Sequence, residues 1–283
     1  MSDPPVSAVP LHCRDEGSGP AIVFLHGMGA DHTMWNGVLP RLSDRFRVLA
    51  PDLRGHGRST VPQSAGYRFE DLEADVLALL DQRQTPSAHL VGLSAGAQLA
   101  LKLGLDAPAH VRSVCLVGGA VYTDGHMRAV AARWAETYDR DGPDALAIRL
   151  LKDLYYPDWI EAHMEFADRV REEVPRHDYR AAVRWGREVA SFDERGRIAT
   201  LRPPALMIQG MDDEVVDASH GRILRQSIPG SKIRIFAQTG HMVPIERPEE
   251  TAEAIEAFVR DVDDRSSGES TASLSRPERM EDR

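Results

Sequence analysis

Short apolar runs recur along the chain, and between several of them apolar residues return every three or four positions. The runs are four to six residues long and are bounded by Gly, Pro or polar residues, which favours buried strands over buried helices. They lie at residues 21–25, 46–50, 89–92, 113–118, 205–210 and 232–236. Strands that alternate with helices are typical of a mostly parallel central sheet with helices on both faces, so the predicted fold class is α/β.

Two of the intervening segments have a clear helical periodicity. Residues 69–83 place Phe69, Leu72 and Val76 on one face with acidic residues between them, and residues 249–262 repeat this pattern. Both segments are therefore predicted to be amphipathic helices. The residues before position 21 alternate weakly and end in a Gly-rich turn, which predicts an antiparallel hairpin at the edge of the sheet.

Residues 121–200 interrupt the alternation of strands and helices. No strand pattern is found there, and three of the four tryptophans, Trp134, Trp159 and Trp185, lie in this segment. Because the segment separates two predicted strands, we expect an inserted helical cap at residues 121–200 and a core domain formed by residues 1–120 and 201–262. The tail at residues 263–283 is polar and Ser-rich, so disorder is expected there.

Charge and composition limit the kinds of molecule that the protein is expected to bind. The formal net charge of −10 argues against binding to nucleic acid or to an anionic membrane surface. The sequence contains no apolar stretch of signal-peptide or membrane-spanning type, so we expect a cytoplasmic protein that acts on a small molecule. Its oligomeric state is left open.

The sequence has no pattern typical of a metal or cofactor site. The two cysteines form neither a disulfide framework nor a metal site, and the histidines and carboxylates do not cluster at ligand spacing. Gly-rich loops of the kind that bind nucleotides are absent from the sequence as well. The sequence therefore predicts no metal and no cofactor.

The strongest chemical signal is GLSAG at residues 92–96, which follows a predicted strand and precedes a segment with helical character. A serine on a tight turn between strand and helix exposes its hydroxyl above the sheet, and the glycines two positions away relieve crowding. Ser94 is therefore the candidate nucleophile.

Three further segments extend this signal: FLHGMG at residues 24–29, PDLRGHGRS at residues 51–59 and TGHMVPIERPEE at residues 239–250. With GLSAG, their order and spacing resemble the α/β-hydrolase superfamily, in its serine-nucleophile branch, from about residue 11 to residue 262. The serine at position 94 argues against the dehalogenase and epoxide-hydrolase branches, in which an aspartate is expected.

A serine hydroxyl needs a base within hydrogen-bond reach, because the neutral hydroxyl is a poor nucleophile near pH 7. The resemblance implies the chain order serine, acid, histidine. His241 follows a predicted strand in a Gly-His loop and is the expected base. His220 lies in a segment that is predicted to be helical, and we expect it at the surface.

The resemblance also places the acid in the loop after residues 205–210. Asp213 stands three residues beyond the final glycine of that strand and is the expected acid. Asp212 is the adjacent alternative. Asp124 is a second alternative, because some members of the superfamily carry the acid after the preceding strand.

The backbone N–H groups of Met28 and Ala95 are the expected oxyanion hole. His26 is interpreted as a structural histidine that fixes the loop at residues 26–29. Asp52, Arg54 and His56 are interpreted as residues that lock loops.

The resulting functional prediction is a serine hydrolase that cleaves a carboxylic ester or lactone of a small to medium, partly apolar molecule through an acyl-enzyme. Candidate substrate contacts are Gly27, Trp134, Trp159 and Met242. The alternatives are a C–C bond hydrolase or perhydrolase on the same three residues, and a non-hydrolytic ligand-binding member of the fold.

Overall fold

A computed structural model of the protein describes residues 8–60, 66–176 and 179–274. Seven strands of the described residues form one sheet in the order β1-β3-β2-β4-β5-β6-β7. They are β1 (Cys13–Glu16), β2 (Ala21–Leu25), β3 (Arg47–Pro51), β4 (Ala88–Leu93), β5 (Val111–Val117), β6 (Ala205–Gly210) and β7 (Lys232–Phe236). All neighbouring strands are parallel except β1 and β3, so the predicted α/β class is confirmed.

Helices cover both faces of the sheet. The helices outside the predicted cap are α1 (Leu39–Leu42), α2 (Phe69–Gln82), α3 (Ala95–Asp106), α9 (Ser219–Ser227), α10 (Val243–Glu246) and α11 (Pro248–Leu274). Val23 and Leu25 of β2 pack into the core cluster that includes α2 and α3. Ile22 and Phe24 pack into the opposite cluster with α1 and α11. Alternate residues of one strand thus supply two separate cores, as the twofold repeat of a strand requires.

The segment between β5 and β6 contains α4 (Gly125–Asp141), α5 (Pro143–Leu154), α6 (Pro157–Ala162), α7 (Met164–Glu173) and α8 (Arg180–Ser191). An isolated antiparallel bridge pairs Tyr122 with Asp193 near the two ends of this insertion. Trp185 of α8 is fully buried and belongs to the same apolar cluster as α2 and α3. The insertion is therefore packed onto the main core through α8.

The position of β1 differs from the expected hairpin. β1 pairs with β3, not with β2, and its Cys13 lies opposite Pro51. Asp15 of β1 accepts a hydrogen bond of 2.7 Å from Arg47 of β3, which ties the two strands together. Because β2 is paired on both sides by parallel strands, β1 cannot pair with it and joins the sheet at the outer edge of β3.

The last helix also extends beyond the predicted boundary at residue 262. Within α11, Asp263 accepts hydrogen bonds from His89 of β4 at 3.0 Å and from Arg112 of β5 at 2.6 Å. These contacts anchor the helix after the position at which a disordered tail was expected. Residues 275–283 of that expected tail lie outside the described residues.

Candidate active site

Ser94 occupies the single residue between β4 and α3. Its backbone has φ 55° and ψ −119°, in a region that residues with a side chain rarely adopt. The N–H of Ser94 donates a hydrogen bond of 2.9 Å to the carbonyl of Val117 at the end of β5. The chain therefore reverses sharply at Ser94, which leaves this side chain partly exposed above the carboxyl edge of the sheet.

The glycines on either side of Ser94 are required by close packing. A Cβ on Gly92 would overlap the carbonyl oxygen of Gly96. A Cβ on Gly96 would overlap the carbonyl oxygen of Leu25 and lie 2.5 Å from that of His26. The GLSAG spacing thus lets the serine turn sit directly against the loop that follows β2.

His241 follows β7 and forms a buried pair with Asp213, which follows β6. The distance between His241 Nδ1 and Asp213 Oδ2 is 2.8 Å, and both side chains are 2% exposed. The other carboxylate oxygen of Asp213 accepts hydrogen bonds from the N–H groups of Val215 and Val216 at 2.8 and 2.9 Å. Because Asp213 accepts, the Nδ1 atom carries the proton and Nε2 of His241 is left as the basic nitrogen.

The two alternative acids have other partners. Asp212 is exposed, and its carboxylate accepts a weak hydrogen bond of 3.4 Å from the N–H of Thr239. Asp124 caps α4 by accepting a hydrogen bond of 2.8 Å from the N–H of Met127. Of the three candidates, the structure brings only Asp213 to His241 among the described residues.

His220 is not at the surface, and that expectation is wrong. Its side chain is fully buried, its Nε2 lies 3.2 Å from Asp124 Oδ2, and its ring lies against that of Tyr122. The reason is the amphipathic pattern of α9, which turns His220 and Leu224 toward the core. His220 thus connects α9 to the start of the insertion.

Gly118 is a site residue that the sequence analysis missed. It follows β5 with φ 49°, and a Cβ built on it would lie 3.0 Å from both Nδ1 and Cε1 of His241. Any side chain at this position would displace the imidazole ring. The sequence feature that could have indicated this role is the pair of consecutive glycines after β5, the neighbour of the strand that ends at Ser94.

Two backbone N–H groups beside Ser94 are free to donate. Within the described parts of the chain, neither the N–H of Met28 nor that of Ala95 donates a hydrogen bond. A Cβ on Gly27 would lie 3.5 Å from the Cβ of Ser94, so the Met28 loop runs alongside the serine. Ser94 Oγ itself forms no hydrogen bond to the described residues.

The loop beside Ser94 is held by His26. Its Nε2 accepts a hydrogen bond of 2.8 Å from the N–H of Leu53, and its Nδ1 lies 2.8 Å from the carbonyl of Gly27. Burial lowers the pKa of His26 to about 3, so the ring is neutral and Nδ1 donates. These bonds agree with the interpretation of His26 as a structural residue.

The neighbouring segment is locked in a similar way. Asp52 accepts hydrogen bonds of 2.9 Å from the N–H groups of His32 and Arg58. Arg54 is fully buried and donates to both carboxylate oxygens of Asp75, at 2.6 and 2.8 Å. Asp52 and Arg54 therefore fix loop conformations, as interpreted from the sequence.

The four candidate substrate contacts have different surroundings. Gly27 lies beside Ser94, whereas Met242 is buried and donates its N–H to the carbonyl of Leu154 at 3.1 Å. Trp134 donates its indole N–H to Asp153 within the insertion at 2.9 Å. Trp159 stacks on His163 and on Tyr155, with ring centroids 4.1 and 5.6 Å away. Of the four, only Gly27 is placed by these contacts against Ser94, and the two tryptophans contribute to packing of the insertion.

Glu246 connects the histidine loop to the insertion. Its two carboxylate oxygens accept hydrogen bonds of 3.0 and 3.1 Å from the N–H of Gly240, and one of them accepts a bond of 3.1 Å from the N–H of Tyr156. The residue is 5% exposed, and burial raises the pKa of its carboxyl above the ordinary value. Glu246 lies within the segment TGHMVPIERPEE, but its role could not be predicted from the sequence.

One cluster of metal-ligating side chains could not be seen from the spacing of these residues in the sequence. Ligand atoms of His12, His32 and Asp52 all lie within 4.8 Å of one another. The three residues are 20 positions apart along the chain, and the pairing of β1 with β3 brings them together. Spacing in the sequence could not reveal a cluster that depends on this strand order.

The family is established by comparison with known proteins. A model of the α/β hydrolase fold matches residues 20–248, and the chain belongs to this family. The chain is 27% identical over 241 residues to 3-oxoadipate enol-lactonase 2 of Acinetobacter baylyi, which covers 85% of this chain and 89% of that protein. It is also 27% identical over 269 residues to 2-hydroxymuconate semialdehyde hydrolase of Pseudomonas sp. strain CF600, covering 91% and 93% of the two chains.

Solved structures agree with this assignment. The crystal structure of the enol-lactonase from Burkholderia xenovorans LB400 matches with a TM-score of 0.79 and 28% identity, covering 88% of this chain and 96% of that one. These relatives support hydrolase activity for the family member described here. No helix within the described residues has the length and apolar character needed to cross a bilayer.

Proposed function

We propose that the protein is a serine hydrolase that cleaves a carboxylic ester or lactone of a small to medium, partly apolar molecule. The observation that carries this proposal is the buried pair of His241 and Asp213 at the same edge of the sheet as the strained Ser94. A nucleophile, a base and a group that orients the base are what acyl transfer requires.

The first step is attack by Ser94 Oγ on the carbonyl carbon of the substrate. As the new C–O bond forms, Nε2 of His241 takes the hydroxyl proton, and the carbonyl oxygen gains negative charge. The free N–H groups of Met28 and Ala95 are then available to donate to that oxygen. Asp213 stabilises the imidazolium and holds its orientation.

The second step is collapse of the tetrahedral intermediate. The bond to the leaving oxygen breaks, and His241 returns its proton to that oxygen, which leaves an acyl group on Ser94. In a lactone the leaving oxygen stays attached to the acyl chain. Water then attacks the acyl-enzyme with His241 again as base, and the acid product departs while Ser94 regains its proton.

The helices α4–α8 are proposed to act as a cap over this site. Two contacts support this role. A Cβ on Gly186 of α8 would lie 3.1 Å from Met28 Sδ, so α8 lies against the loop with the free N–H. A Cβ on Gly240 would lie 2.8 Å from the carbonyl oxygen of Leu154, so the end of α5 lies against the histidine loop.

The relatives support hydrolysis of a lactone or ester, and they also support one alternative reaction. The similarity to two enol-lactonases favours lactone hydrolysis. The similarity to 2-hydroxymuconate semialdehyde hydrolase favours C–C bond hydrolysis of a β-diketone-like substrate by the same three residues as the second candidate.

The test is hydrolysis of nitrophenyl esters with short and medium acyl chains and of a panel of lactones, followed by nitrophenol release or acid production. Ser94→Ala is expected to lose activity by about 10³-fold or more, whereas Ser191→Ala, at an exposed serine of α8, should match the wild type. Full activity in Ser94→Ala would reject the nucleophile. Turnover of a β-diketone without turnover of esters or lactones would favour the C–C candidate.

A further inference from the structure

Three side chains with metal-ligating atoms meet where β1 runs beside β3. His12 immediately precedes β1, His32 begins the short 3-10 turn His32–Trp35, and Asp52 follows β3. His32 Nδ1 lies 2.6 Å from Asp52 Oδ1, and the ring centroids of His12 and His32 are 5.3 Å apart. All three ligand atoms lie within 4.8 Å of one another. The cluster lies outside the set formed by Ser94, His241 and Asp213.

The carboxylate of this cluster is fixed in place. The Asp52 side chain is 0% exposed and the His32 side chain 16% exposed. Backbone N–H groups of His32 and Arg58 hold one carboxylate oxygen each, both at 2.9 Å. The ligand that contributes charge is therefore already oriented and desolvated, which lowers the cost of organising the site on binding.

His12 differs from the other two ligands because its side chain has no committed partner. The imidazole of His12 forms no hydrogen bond to the described residues, and its ring makes an edge contact with the ring of His32. The backbone N–H of His12 donates to Ser59 Oγ at 2.8 Å, so the Cα position is held while the half-buried ring can rotate.

We propose that His12, His32 and Asp52 form a binding site for a divalent transition-metal ion of the zinc class. Two imidazole nitrogens and one carboxylate oxygen suit Zn²⁺ and its neighbours, whereas Mg²⁺ and Ca²⁺ prefer oxygen ligands throughout. Tetrahedral Zn²⁺ with bonds of about 2.0–2.1 Å needs ligand atoms roughly 3.4 Å apart. A rotation of the His12 ring closes the remaining gap.

Metal binding replaces the hydrogen bond between His32 and Asp52. Nδ1 of His32 gives up its proton while Nε2 of the same ring carries one, so the imidazole stays neutral. His32 Nδ1 and Asp52 Oδ1 both bond to the metal, and His12 supplies the third ligand. The fourth position is left for water. Because the ion would join the edge strand β1 to the turn that follows the Met28 loop, its role is structural, and the inference is independent of the proposed hydrolase function.

The experiment uses the full chain without a histidine tag, treated with a chelator and then titrated with Zn²⁺ by calorimetry and with Co²⁺ by visible absorption. One ion per chain and a rise in Tm with added Zn²⁺ are expected. His12→Ala should weaken binding at least about tenfold. His110→Ala is the matched control, since His110 is an exposed histidine outside the cluster.

His12→Ala is the decisive variant because it removes a ligand without removing a hydrogen bond within the described structure. It should keep the wild-type Tm in the presence of chelator. His12→Gln, which retains most of the side-chain volume, replaces it if His12→Ala does not fold. Either variant binding Zn²⁺ as tightly as the wild type, or a wild type without saturable binding, overturns the proposal.

Discussion

The carboxylate of Glu246 accepts a hydrogen bond of 3.1 Å from the backbone N–H of Tyr156. The same carboxylate accepts the N–H of Gly240, the residue before His241. One buried side chain therefore joins the loop of the proposed base to the insertion. The position of His241 and the docking of the insertion consequently depend on the same three hydrogen bonds.

Replacement of Glu246 should affect both stability and turnover. Glu246→Ala leaves the buried N–H of Gly240 and the half-buried N–H of Tyr156 without their acceptor, and loss of the buried bond alone costs about 1–3 kcal/mol of unfolding free energy. We expect kcat to fall more than KM rises, because His241 loses its fixed position. Glu246→Gln retains an acceptor oxygen and should lie between Ala and wild type. Urea unfolding and steady-state kinetics measure these effects.

The exposed Glu249 on α11 provides the control for this pair of variants. Its side chain is 69% exposed, so Glu249→Ala should leave both kcat and unfolding free energy close to wild type. A Glu246→Ala protein with normal kcat and normal stability would show that the connection is unimportant.

The acid can be identified by three single substitutions. Asp213→Asn keeps the shape of the side chain but removes the charge that orients His241, so kcat should fall by roughly 10³–10⁴-fold. Asp212→Asn should stay within about threefold of wild type, because Asp212 is exposed and points to Thr239. Asp124→Asn should chiefly affect stability through α4 and His220. Comparable kcat losses in Asp212→Asn and Asp213→Asn would contradict the assignment.

Gly118 offers a test of how tightly the imidazole is confined. Gly118→Ala should lower kcat, because the added methyl would lie 3.0 Å from the ring of His241. The matched control is Gly230→Ala, since Gly230 also has a positive φ, of 82°, but no atom lies within 4 Å of its Cβ position. Both variants share the backbone strain of about 1–2 kcal/mol. Only Gly118→Ala should lose activity, and equal activity in the two proteins would reject the confinement.

Stability should fall in acid because of His89. Burial lowers the pKa of His89 to about 4, with the Arg112 charge acting in the same direction and Asp263 opposing it. The neutral ring is therefore favoured in the folded state. The contribution of His89 to the free energy of unfolding is complete above pH 6.5 and is lost as the pH falls toward 4. The free energy of unfolding then falls by up to about 1.4 kcal/mol per pH unit.

The His89 effect is measured as a difference between two proteins. Burial raises the pKa of Glu73 to about 8, so Glu73 favours the folded state at low pH and loses that contribution as the pH rises from 4.5 through 8. Urea unfolding is measured for wild type and His89→Gln between pH 4 and 8. Because both proteins contain Glu73, the difference between their unfolding free energies removes the opposite pH dependence of that residue. The two curves should converge as the pH falls. Parallel curves would show that His89 does not titrate as described.

Local sequence patterns predicted the strands and the turn that carries Ser94, for a physical reason. Buried parallel strands need continuous apolar runs, and the run at residues 205–210 coincides with β6. The turn at Ser94 needs glycines at fixed spacing, because Gly92 and Gly96 are packed against backbone oxygens. The apolar run and the glycine spacing each lie within a few residues, so short segments of the chain are enough to predict these features, although Gly96 itself packs against the remote Leu25.

Features that depend on distant pairing could not be predicted in this way. The partner of β1 is decided by the order of strands, and the cluster of His12, His32 and Asp52 follows from that order. The inward turn of His220 depends on which face of α9 meets β6 and the insertion. Asp263 of α11 is held by His89 and Arg112, which lie on β4 and β5. In each case the decisive contact joins segments that are remote in the sequence.

The backbone conformation of Ser94 has a consequence for the way natural selection shapes this chain. A glycine at position 94 would adopt φ 55° without strain and should stabilise the folded protein by about 1–3 kcal/mol. That more stable protein would lack the proposed nucleophile. Stability and chemistry therefore favour different residues at this one position, and a library of variants ranked only by resistance to heat would be expected to enrich inactive proteins.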